Sequence, residues 1–411
     1  MELAGPVEIL PLTEMGIWME PVDPYSLSQS SEPWPELTLF SPSVLMESPR
    51  ITEDEVGLTP TGVPTEKPPE KDLSDHLPEP IISQARNGEA EEIFSFPPLA
   101  TFPSLLHDKV VDCINYFQIQ ADTFFARSLA RSTAYADMMK RIFREKDLPE
   151  ELFYLALIES GFNPKAFSRS KASGIWQFIG KTAKRFGLKV DKWVDERRDP
   201  EKATHAAAEY LKSLYALFNN WDLATAGYNA GEGKMLKAIK KAKSQDFWTI
   251  SQHRFLKKET KEYVPLFLAA VTIAQNPPKY GFQNIEYSPP LVYEKVTVPA
   301  GTNLFIIAKA AESDLSQIQA FNPALKKGKT PPYSSFEIKL PPGKKEVFKN
   351  NFPTLSRLSA KSKKHRVGRG EDLTKIAQKY QLALQDLCGM NDLSPKGRVK
   401  PGVILLLPPA T

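Results

Sequence analysis

Cysteine is scarce in this chain of 411 residues, which contains only Cys113 and Cys388. Domains that fold around disulfides need several pairs, so two distant cysteines exclude a disulfide framework. We expect both side chains to be buried as small apolar groups.

Long apolar runs are also missing. No stretch approaches the roughly 18 apolar residues that suggest a membrane-spanning helix. The first residues, MELAGPVEILPLTEMGIWME, lack the basic start and apolar centre of a secretory signal. We therefore expect either that the protein is not exported by that route or that the given sequence does not begin where the translated protein begins.

Basic residues are rare at the start of the chain. Residues 1–100 contain 19 Asp and Glu against 4 Lys and Arg, and they hold 16 of the 36 prolines. Such a segment has no sustained apolar period and cannot bury enough surface to offset its chain entropy. We predict a disordered, acidic, proline-rich tail over residues 1–95.

The rest of the chain is basic, with 49 Lys and Arg against 30 Asp and Glu over residues 101–411. A basic body suits a polyanionic partner, either an acidic wall polymer or nucleic acid. The charges are dispersed and not gathered into a run, which argues against nucleic acid. No metal or organic cofactor is predicted, because the histidines lack the spacing of metal ligands: His76, His107, His205, His253 and His365.

The apolar pattern from about residue 104 to 280 is helical, and we predict an all-helical domain over residues 96–285. In the stretch DLPEELFYLALIESGF a helix is expected to start at a cap on Asp147 and to end at Gly161. After about residue 280 the sequence instead contains prolines, β-branched residues and short helical patterns.

An internal repeat follows the helical domain. Residues 294–343 and 364–409 share one order of elements: a strand, two short helices and a closing apolar strand. Two copies are too few for a solenoid, so we expect independent βααβ modules over residues 290–345 and 363–411. The basic segment 346–362 between them is predicted to be a mobile linker.

Glu159 is the acid at the end of the apolar helical run LALIES. Apolar neighbours, the negative end of the helix dipole and the lack of basic residues over 155–164 all raise its expected pKa. A carboxylic acid that stays protonated near neutral pH suits cleavage of an acetal, because the leaving oxygen must receive a proton. The alternative is an ordinary surface glutamate, and the context must decide.

Three motifs supply that context. ESGFNPKAFSRSKASGIWQFIGKTAKRFGL at 159–188, AGYNAGEG at 226–233 and TKEYVP at 260–265 occur in this order. Together they resemble the lysozyme-like lytic transglycosylases of bacterial cell walls, in particular the membrane-bound lytic murein transglycosylase D type. HRVGRGEDLTKIAQKYQLALQDLCGMNDL looks like a LysM module, and residues 294–343 look like a more divergent one. The resemblance covers about residues 104–409.

The resemblance implies a fold and a reaction. We expect a mainly α protein, with a lysozyme-like all-helical domain followed by two small α+β LysM-like modules. Glu159 matches the family's single acid/base, which protonates the glycosidic oxygen between N-acetylmuramic acid and N-acetylglucosamine. The carboxylate then takes a proton from the muramoyl 6-hydroxyl, which attacks its own anomeric carbon and leaves a 1,6-anhydro end. One carboxylate suffices because the substrate supplies the nucleophile.

Further positions match the family's substrate site, and the resemblance implies a role for each. They are Ser168 and Gln177, which would hydrogen-bond the sugar, Tyr228 and Asn229, which would line the cleft, and Tyr263, whose hydroxyl would face the acid.

Three positions in the loop after the acid carry their own expectations. Gly174 permits close approach of the backbone. Trp176 packs either under the sugar or in the core. Lys171 stands where the family usually has glycine, so a left-handed loop conformation would cost more there.

For the LysM modules the resemblance implies weak binding of N-acetylglucosamine-containing glycan in a shallow groove between two loops. Tethering the modules to the helical domain raises the effective concentration on an insoluble polymer. For residues 294–343 a stability cap without a ligand is the alternative. In the last copy the groove residues would be Gly370, Glu371, Asp372 and Leu373 on one side and Asn391, Asp392 and Leu393 on the other.

Two other functions remain open. A lysozyme-like hydrolase would use Glu159 with a positioned water and normally a second carboxylate, whereas a non-catalytic envelope protein would keep the modules only as an anchor. The expected partner is the peptidoglycan glycan strand, not nucleic acid. We expect a monomer in the periplasm or cell envelope of a bacterium, with membrane association left to an N-terminal anchor that the given sequence lacks.

Overall fold

The computed structural model describes residues 107–408. The predicted tail over residues 1–95 lies outside the described residues, as does the start of the helical domain. Within residues 107–408 no helix is both long enough and apolar enough to cross a membrane.

A helical domain comes first, as predicted. Short 3-10 helices cover Glu150–Tyr154, Glu196–Arg198 and Pro277–Tyr280. The α-helices are α1 (Asp108–Ile119), α2 (Asp122–Glu145), α3 (Leu155–Ser160), α4 (Gly180–Arg185), α5 (Pro200–Phe218), α6 (Trp221–Ala230), α7 (Glu232–Ala242), α8 (Phe247–Gln252) and α9 (Lys258–Gln275).

Helix α9 lies at the centre of this domain and packs against α1, α3 and α6. Every residue from Tyr263 to Val271 is buried. A helix that is apolar on all sides belongs in a core. Helices α3 and α6 therefore both contact the same central helix.

The predicted helix start at Asp147 is wrong. Helix α2 ends at Glu145, and Asp147 takes φ 57° in the turn that follows. Because an N-cap residue needs extended backbone, this left-handed residue cannot act as a cap. The next helix instead begins as a 3-10 turn after Pro149, without a side-chain cap. Its exit is as predicted, since Gly161 ends α3 with φ 58°.

Two small modules follow, and each contains one antiparallel strand pair. Their repeat is visible in two asparagines: Asn322 Oδ1 accepts from the Lys339 N–H at 2.9 Å, and Asn391 Oδ1 accepts from the Leu406 N–H at 2.7 Å. The first module is β1 (Glu294–Val298), α10 (Leu304–Ala310), α11 (Leu315–Phe321) and β2 (Phe336–Leu340). The second is β3 (Lys364–Arg366), α13 (Leu373–Lys379), α14 (Leu384–Asn391) and β4 (Ile404–Leu406).

The predicted mobile linker over residues 346–362 is wrong for most of its length. Lys345–Ala360 form helix α12, which packs against α10. Phe348 is buried and stacks on Phe352 with ring centroids 4.7 Å apart. Apolar residues one turn apart give this basic segment an apolar face, which the count of lysines concealed.

The two modules are not independent, contrary to the prediction. Phe305 and Ile306 of the first module share an apolar cluster with Met390 of the second. The side-chain amide of Asn303 also donates to the Met390 carbonyl at 2.8 Å. An isolated module of this size has a small core, and packing against a neighbour buries more apolar surface.

The first module is also docked on the helical domain. Lys339 on β2 is 5% exposed, and its Nζ lies 2.8 Å from the Asp199 carboxylate at the start of α5. The Asp195 N–H donates to the Ala324 carbonyl at 2.8 Å. Breaking a buried ion pair leaves an uncompensated charge, so these contacts hold the module against the domain.

Both cysteines are buried and free, as predicted. Burial, helped by the negative charges of Glu262 and Asp112, raises the pKa of the Cys113 thiol to about 12. Burial also raises the pKa of Cys388.

Candidate active site

Glu159 lies in the last turn of α3 and is half-buried. The Tyr263 hydroxyl on α9 donates a hydrogen bond of 2.6 Å to Oε1 of Glu159. Burial raises the pKa of Glu159 to about 7; the hydrogen bond from Tyr263 lowers this pKa, and the negative charge of Glu259 raises it. A carboxyl with such a pKa can give up a proton and take one back near neutral pH.

The end of α3 is held in place by its neighbours. Arg131 Nε donates to the Gly161 carbonyl at 2.7 Å, and the Ser160 hydroxyl donates to the Ile175 carbonyl at 2.8 Å. A Cβ atom on Gly161 would lie 2.5 Å from Ser128 Oγ, so a larger residue would have to displace that side chain as well as adopt φ 58°. The backbone that carries Glu159 is therefore fixed to α2 and to the loop that follows α3.

Glu259 is a residue of this site that the sequence analysis missed. Its carboxylate accepts from Asn229 Nδ2 at 3.4 Å, and the Thr260 hydroxyl donates to Asn229 Oδ1 at 2.9 Å. Asn229 is thereby joined to the helix that carries Tyr263. The signal was the spacing, since Glu259 precedes Tyr263 by four residues and thus shares its helix face.

Tyr228 on α6 is half-buried, and its hydroxyl donates to the Trp176 carbonyl at 2.9 Å. Burial and the charge of Glu159 raise the pKa of Tyr228 well above its usual value. This hydroxyl is therefore a neutral donor that ties α6 to the loop after α3.

That loop, residues 168–178, folds around Ser168. The Ser168 N–H donates to the Ala172 carbonyl at 2.9 Å, and Ser168 Oγ accepts from the Ala172 N–H at 2.9 Å. Lys171 has φ 63°, so the left-handed turn forms even without glycine, at a cost of about 1 kcal/mol.

The second half of the loop is built on a close backbone approach. Gly174 has φ 81°, and a Cβ atom there would lie 1.7 Å from the Arg197 carbonyl oxygen, so only glycine fits. Gln177 has φ 47°, and its Nε2 donates to the Gly174 carbonyl at 2.7 Å. Trp176 is fully buried and donates to Thr204 Oγ1 at 2.9 Å, so it belongs to the core.

The residues predicted for the LysM groove are largely occupied by contacts within the protein. Glu371 accepts from the Gly368 N–H at 2.7 Å and lies 2.8 Å from His365 Nε2, and these two bonds lower its pKa to about 2. Asp372 caps α13 by accepting from the Lys375 N–H at 2.8 Å.

The other side of that groove is similar. Asn391 donates to the Leu406 carbonyl at 2.8 Å, and Asp392 accepts from the N–H of Gly328 in the first module at 2.9 Å. These side chains stabilise the modules, which leaves mainly the backbone to meet a ligand. Of the remaining predicted residues, Leu373 and Leu393 pack in the module's apolar core, and Gly370 is exposed with φ 78°.

A cavity of about 700 Å³ lies away from Glu159, between α2 and residues 290–295. Several of its charged side chains are already paired, with Arg144 2.6 Å from Glu150 and Lys295 2.9 Å from Glu201. Among residues 107–408 no three His, Cys, Asp or Glu side chains group so as to hold a metal ion. The candidate chemistry therefore stays with Glu159.

Known protein families match three segments of the chain. The family described as the transglycosylase SLT domain matches residues 138–251, which include Glu159 and the 168–178 loop. Residues 138–251 are thus similar to the transglycosylase SLT domain. The LysM-like domain of lytic transglycosylase MltD matches residues 292–357 behind the SLT domain, and the LysM domain matches residues 365–408.

Several named proteins are similar to this chain. It is 31% identical over 287 residues to the membrane-bound lytic murein transglycosylase D of Escherichia coli strain K12, a match that covers 64% of this chain and 61% of the relative. It is 34% identical over 108 residues to the soluble lytic murein transglycosylase of the same strain, covering 25% and 17% of the two chains. It is 41% identical over 101 residues to the peptidoglycan transglycosylase gp16 of Escherichia phage T7, covering 24% and 8%. The chain thus spans less than two thirds of the length of these relatives.

Proposed function

We propose that this chain is a peptidoglycan lytic transglycosylase that cleaves the β-1,4 bond between N-acetylmuramic acid and N-acetylglucosamine. The observation that carries the proposal is the half-buried Glu159 carboxyl, whose pKa of about 7 is set mainly by burial and whose Oε1 accepts from Tyr263. This carboxyl lies next to a loop in which Lys171 and Gly174 both adopt left-handed backbone conformations, with φ 63° and 81°.

The reaction uses Glu159 twice. Its proton passes to the glycosidic oxygen as the bond from the muramoyl anomeric carbon breaks, and the oxygen leaves as the 4-hydroxyl of N-acetylglucosamine. The carboxylate then takes the proton of the muramoyl 6-hydroxyl, and that oxygen bonds to the anomeric carbon. The product ends in a 1,6-anhydro ring, and no water is consumed.

The surrounding residues support these steps. Tyr263 orients the Glu159 carboxyl and moderates its pKa, which burial alone would raise further. Ser168 and Gln177 are proposed to hydrogen-bond the sugar near the scissile bond, and Tyr228 and Asn229 to line the cleft. Tyr228 and Asn229 also position the loop and α9 through their own hydrogen bonds.

The proposed partner is the peptidoglycan glycan strand, bound by the SLT domain and by the C-terminal LysM module. In that module, Gly370 and the backbone of residues 391–393 are the proposed contacts, because the polar side chains there are engaged internally. Since this substrate lies outside the cytoplasmic membrane, we propose that the protein is an extracytoplasmic monomer. Fractionation of the native cell tests the location.

A hydrolase is the second candidate, and Glu259 favours it. Its carboxylate is close enough to influence the pKa of Glu159 and could orient a water molecule. Against this, Glu259 is already bonded to Asn229. Hydrolysis also normally needs a carboxylate placed to activate the water or the sugar.

Mass spectrometry of the muropeptides released from purified sacculi separates these functions. A transglycosylase releases anhydro products that are one water lighter than the corresponding reducing products. Reducing ends alone would assign the chain as a hydrolase. Equal release by the parent chain and by Glu159→Gln would leave Glu159 without a catalytic role and favour a non-catalytic envelope protein.

A further inference from the structure

We propose that the LysM-like first module positions the active-site loop of the SLT domain, through a bridging segment formed by residues 194–199. This segment lies between the module on one side and the 168–178 loop on the other. The kinetic consequence rests on the proposed transglycosylase function, whereas the structural coupling does not.

Arg197 makes the contacts on the side of the active-site loop. Arg197 is 6% exposed, and its Nη1 donates to the carbonyls of Lys171 at 2.8 Å and Phe178 at 2.9 Å. These two carbonyls lie at either end of the part of the loop that contains Gly174. The Arg197 carbonyl also fills the space in which a side chain at Gly174 would lie. Arg197 is therefore a positioning residue, because it determines the path of the loop without itself lying on the acid.

Asp195 connects Arg197 to the module. Its carboxylate accepts from Arg197 Nε at 2.8 Å and from Nη2 at 2.7 Å, a bidentate pair that fixes the plane of the guanidinium. Its own N–H donates to the Ala324 carbonyl of the first module at 2.8 Å, next to a bridge between Val194 and Leu325. A shift of the module would thus move the residue that orients Arg197.

Lys339 locks the other end of the bridging segment. Its Nζ lies 2.8 Å from Asp199 and 3.4 Å from Glu201, and it lies over the Tyr293 ring at 4.7 Å. Asp199 also caps α5 by accepting from the Glu201 N–H at 3.0 Å. Lys339 and Asp199 are both buried, so undocking of the module would break their ion pair and cost free energy.

A module that served only as a glycan tether would work on a flexible connection and would need none of these buried contacts. The geometry instead makes the module part of the scaffold on which Ser168 and Gln177 are held. Active-site groups must be held to within a fraction of an ångström by the residues behind them.

The test compares Lys339→Met and Arg197→Lys with the parent in the full chain. Lys349→Met is the control, since Lys349 is an exposed residue of α12 that pairs only locally with Glu346 at 2.6 Å. Hydrogen exchange of peptides from the 168–178 loop reports on the loop, and exchange around residues 324–326 reports on docking. Cleavage of soluble glycan fragments gives kcat and KM without a contribution from tethering.

We expect both variants to speed loop exchange and to lower kcat/KM by about tenfold or more. Hydrogen exchange around residues 324–326 should become faster only in Lys339→Met. Lys339→Arg should restore part of the slow exchange and part of kcat/KM. Lys349→Met should match the parent. Faster exchange at 324–326 in Lys339→Met without any change in the loop or in kcat/KM would overturn the proposal. If the parent releases no anhydro product, the function fails, but loop exchange still tests the coupling.

Discussion

Two glutamates that the sequence assigned to substrate sites have opposite surroundings. Glu159 in the SLT domain is half-buried and has a pKa raised to about 7 by burial. Glu371 in the C-terminal LysM module accepts from a backbone N–H and from His365, and its pKa is lowered to about 2. The first carboxyl can exchange a proton near neutral pH, whereas the second is a permanent acceptor in a loop.

The surroundings of a carboxyl therefore decide whether it can take part in a reaction or serves as a structural acceptor. A carboxylate with several donors is stabilised in its charged form and works as a structural acceptor. A carboxyl kept from water with few donors stays reactive. The same contrast applies to whole regions, because the polar side chains of the predicted LysM groove are largely consumed by capping and strand contacts.

Glu159→Gln is the substitution with the largest expected effect on the reaction rate. Removing the only proton donor that we assign should lower the rate of anhydro product release by about a thousandfold. Glu371→Gln is the matched change in the other region, and it should leave the rate on soluble glycan fragments near that of the parent. The measurement is product release followed by mass spectrometry, and equal losses in the two variants would contradict the assignment.

The same pair of variants should differ in stability with opposite signs. The pKa of Glu159 is raised from 4.5 to about 7, so its protonated form favours folding and this stability is lost as pH rises through 7. At pH 8, Glu159→Gln should therefore be more stable than the parent by about 2 kcal/mol, with little difference at pH 4.

Glu371→Gln should do the reverse. Its pKa is lowered to about 2, so the stability it supplies is present above pH 4.5 and is lost as pH falls toward 2. Urea unfolding at pH 2.5, 4, 6 and 8 checks both signs. A Glu159→Gln variant that is less stable than the parent at pH 8 would show that burial does not strain this carboxyl.

Asn391→Ala tests whether a polar side chain of the predicted LysM groove stabilises the C-terminal module. It removes the bonds that join α14 to β4, so the unfolding free energy of the C-terminal module should fall by about 1.5 kcal/mol. Gln378→Ala on the exposed face of α13 is the control. Thermal unfolding followed by hydrogen exchange of β4 is the measurement, and a residue that served only to bind glycan would leave β4 unchanged.

Tyr263→Phe is the smallest of these changes. It removes the hydroxyl that donates to Glu159, so the rate should fall about fivefold because the carboxyl loses its orientation. The hydrogen bond lowers the pKa of Glu159, so its loss should move the alkaline limb of the pH–rate profile to higher pH. A profile that stays in place while the rate falls would limit Tyr263 to a packing role.

The sequence predicted those parts of the molecule that depend on local pattern. The helical domain, the two strand–helix repeats, Gly161 at the end of α3 and Gly174 at a close approach all follow from short spacings. Tyr263 was placed near the acid by resemblance alone, because nothing in its local sequence separates a core tyrosine from a site tyrosine.

The remainder depends on contacts between distant parts of the chain. Lys339 and Asp199 are 140 residues apart, and no local signal pairs them. Trp176 was left between core and sugar because both environments accept an aromatic ring. The helix over Lys345–Ala360 was missed because its basic composition outweighed a weak apolar period.

The two free thiols have a practical consequence for a protein proposed to work where oxidants are present. Thiolate, not thiol, attacks other sulfurs, and a group with a pKa of about 12 such as Cys113 is almost never ionised at physiological pH. With both sulfurs buried, neither can readily form an intermolecular cross-link while the fold is intact. Air should therefore not cross-link folded molecules through Cys113 or Cys388, even without added reductant.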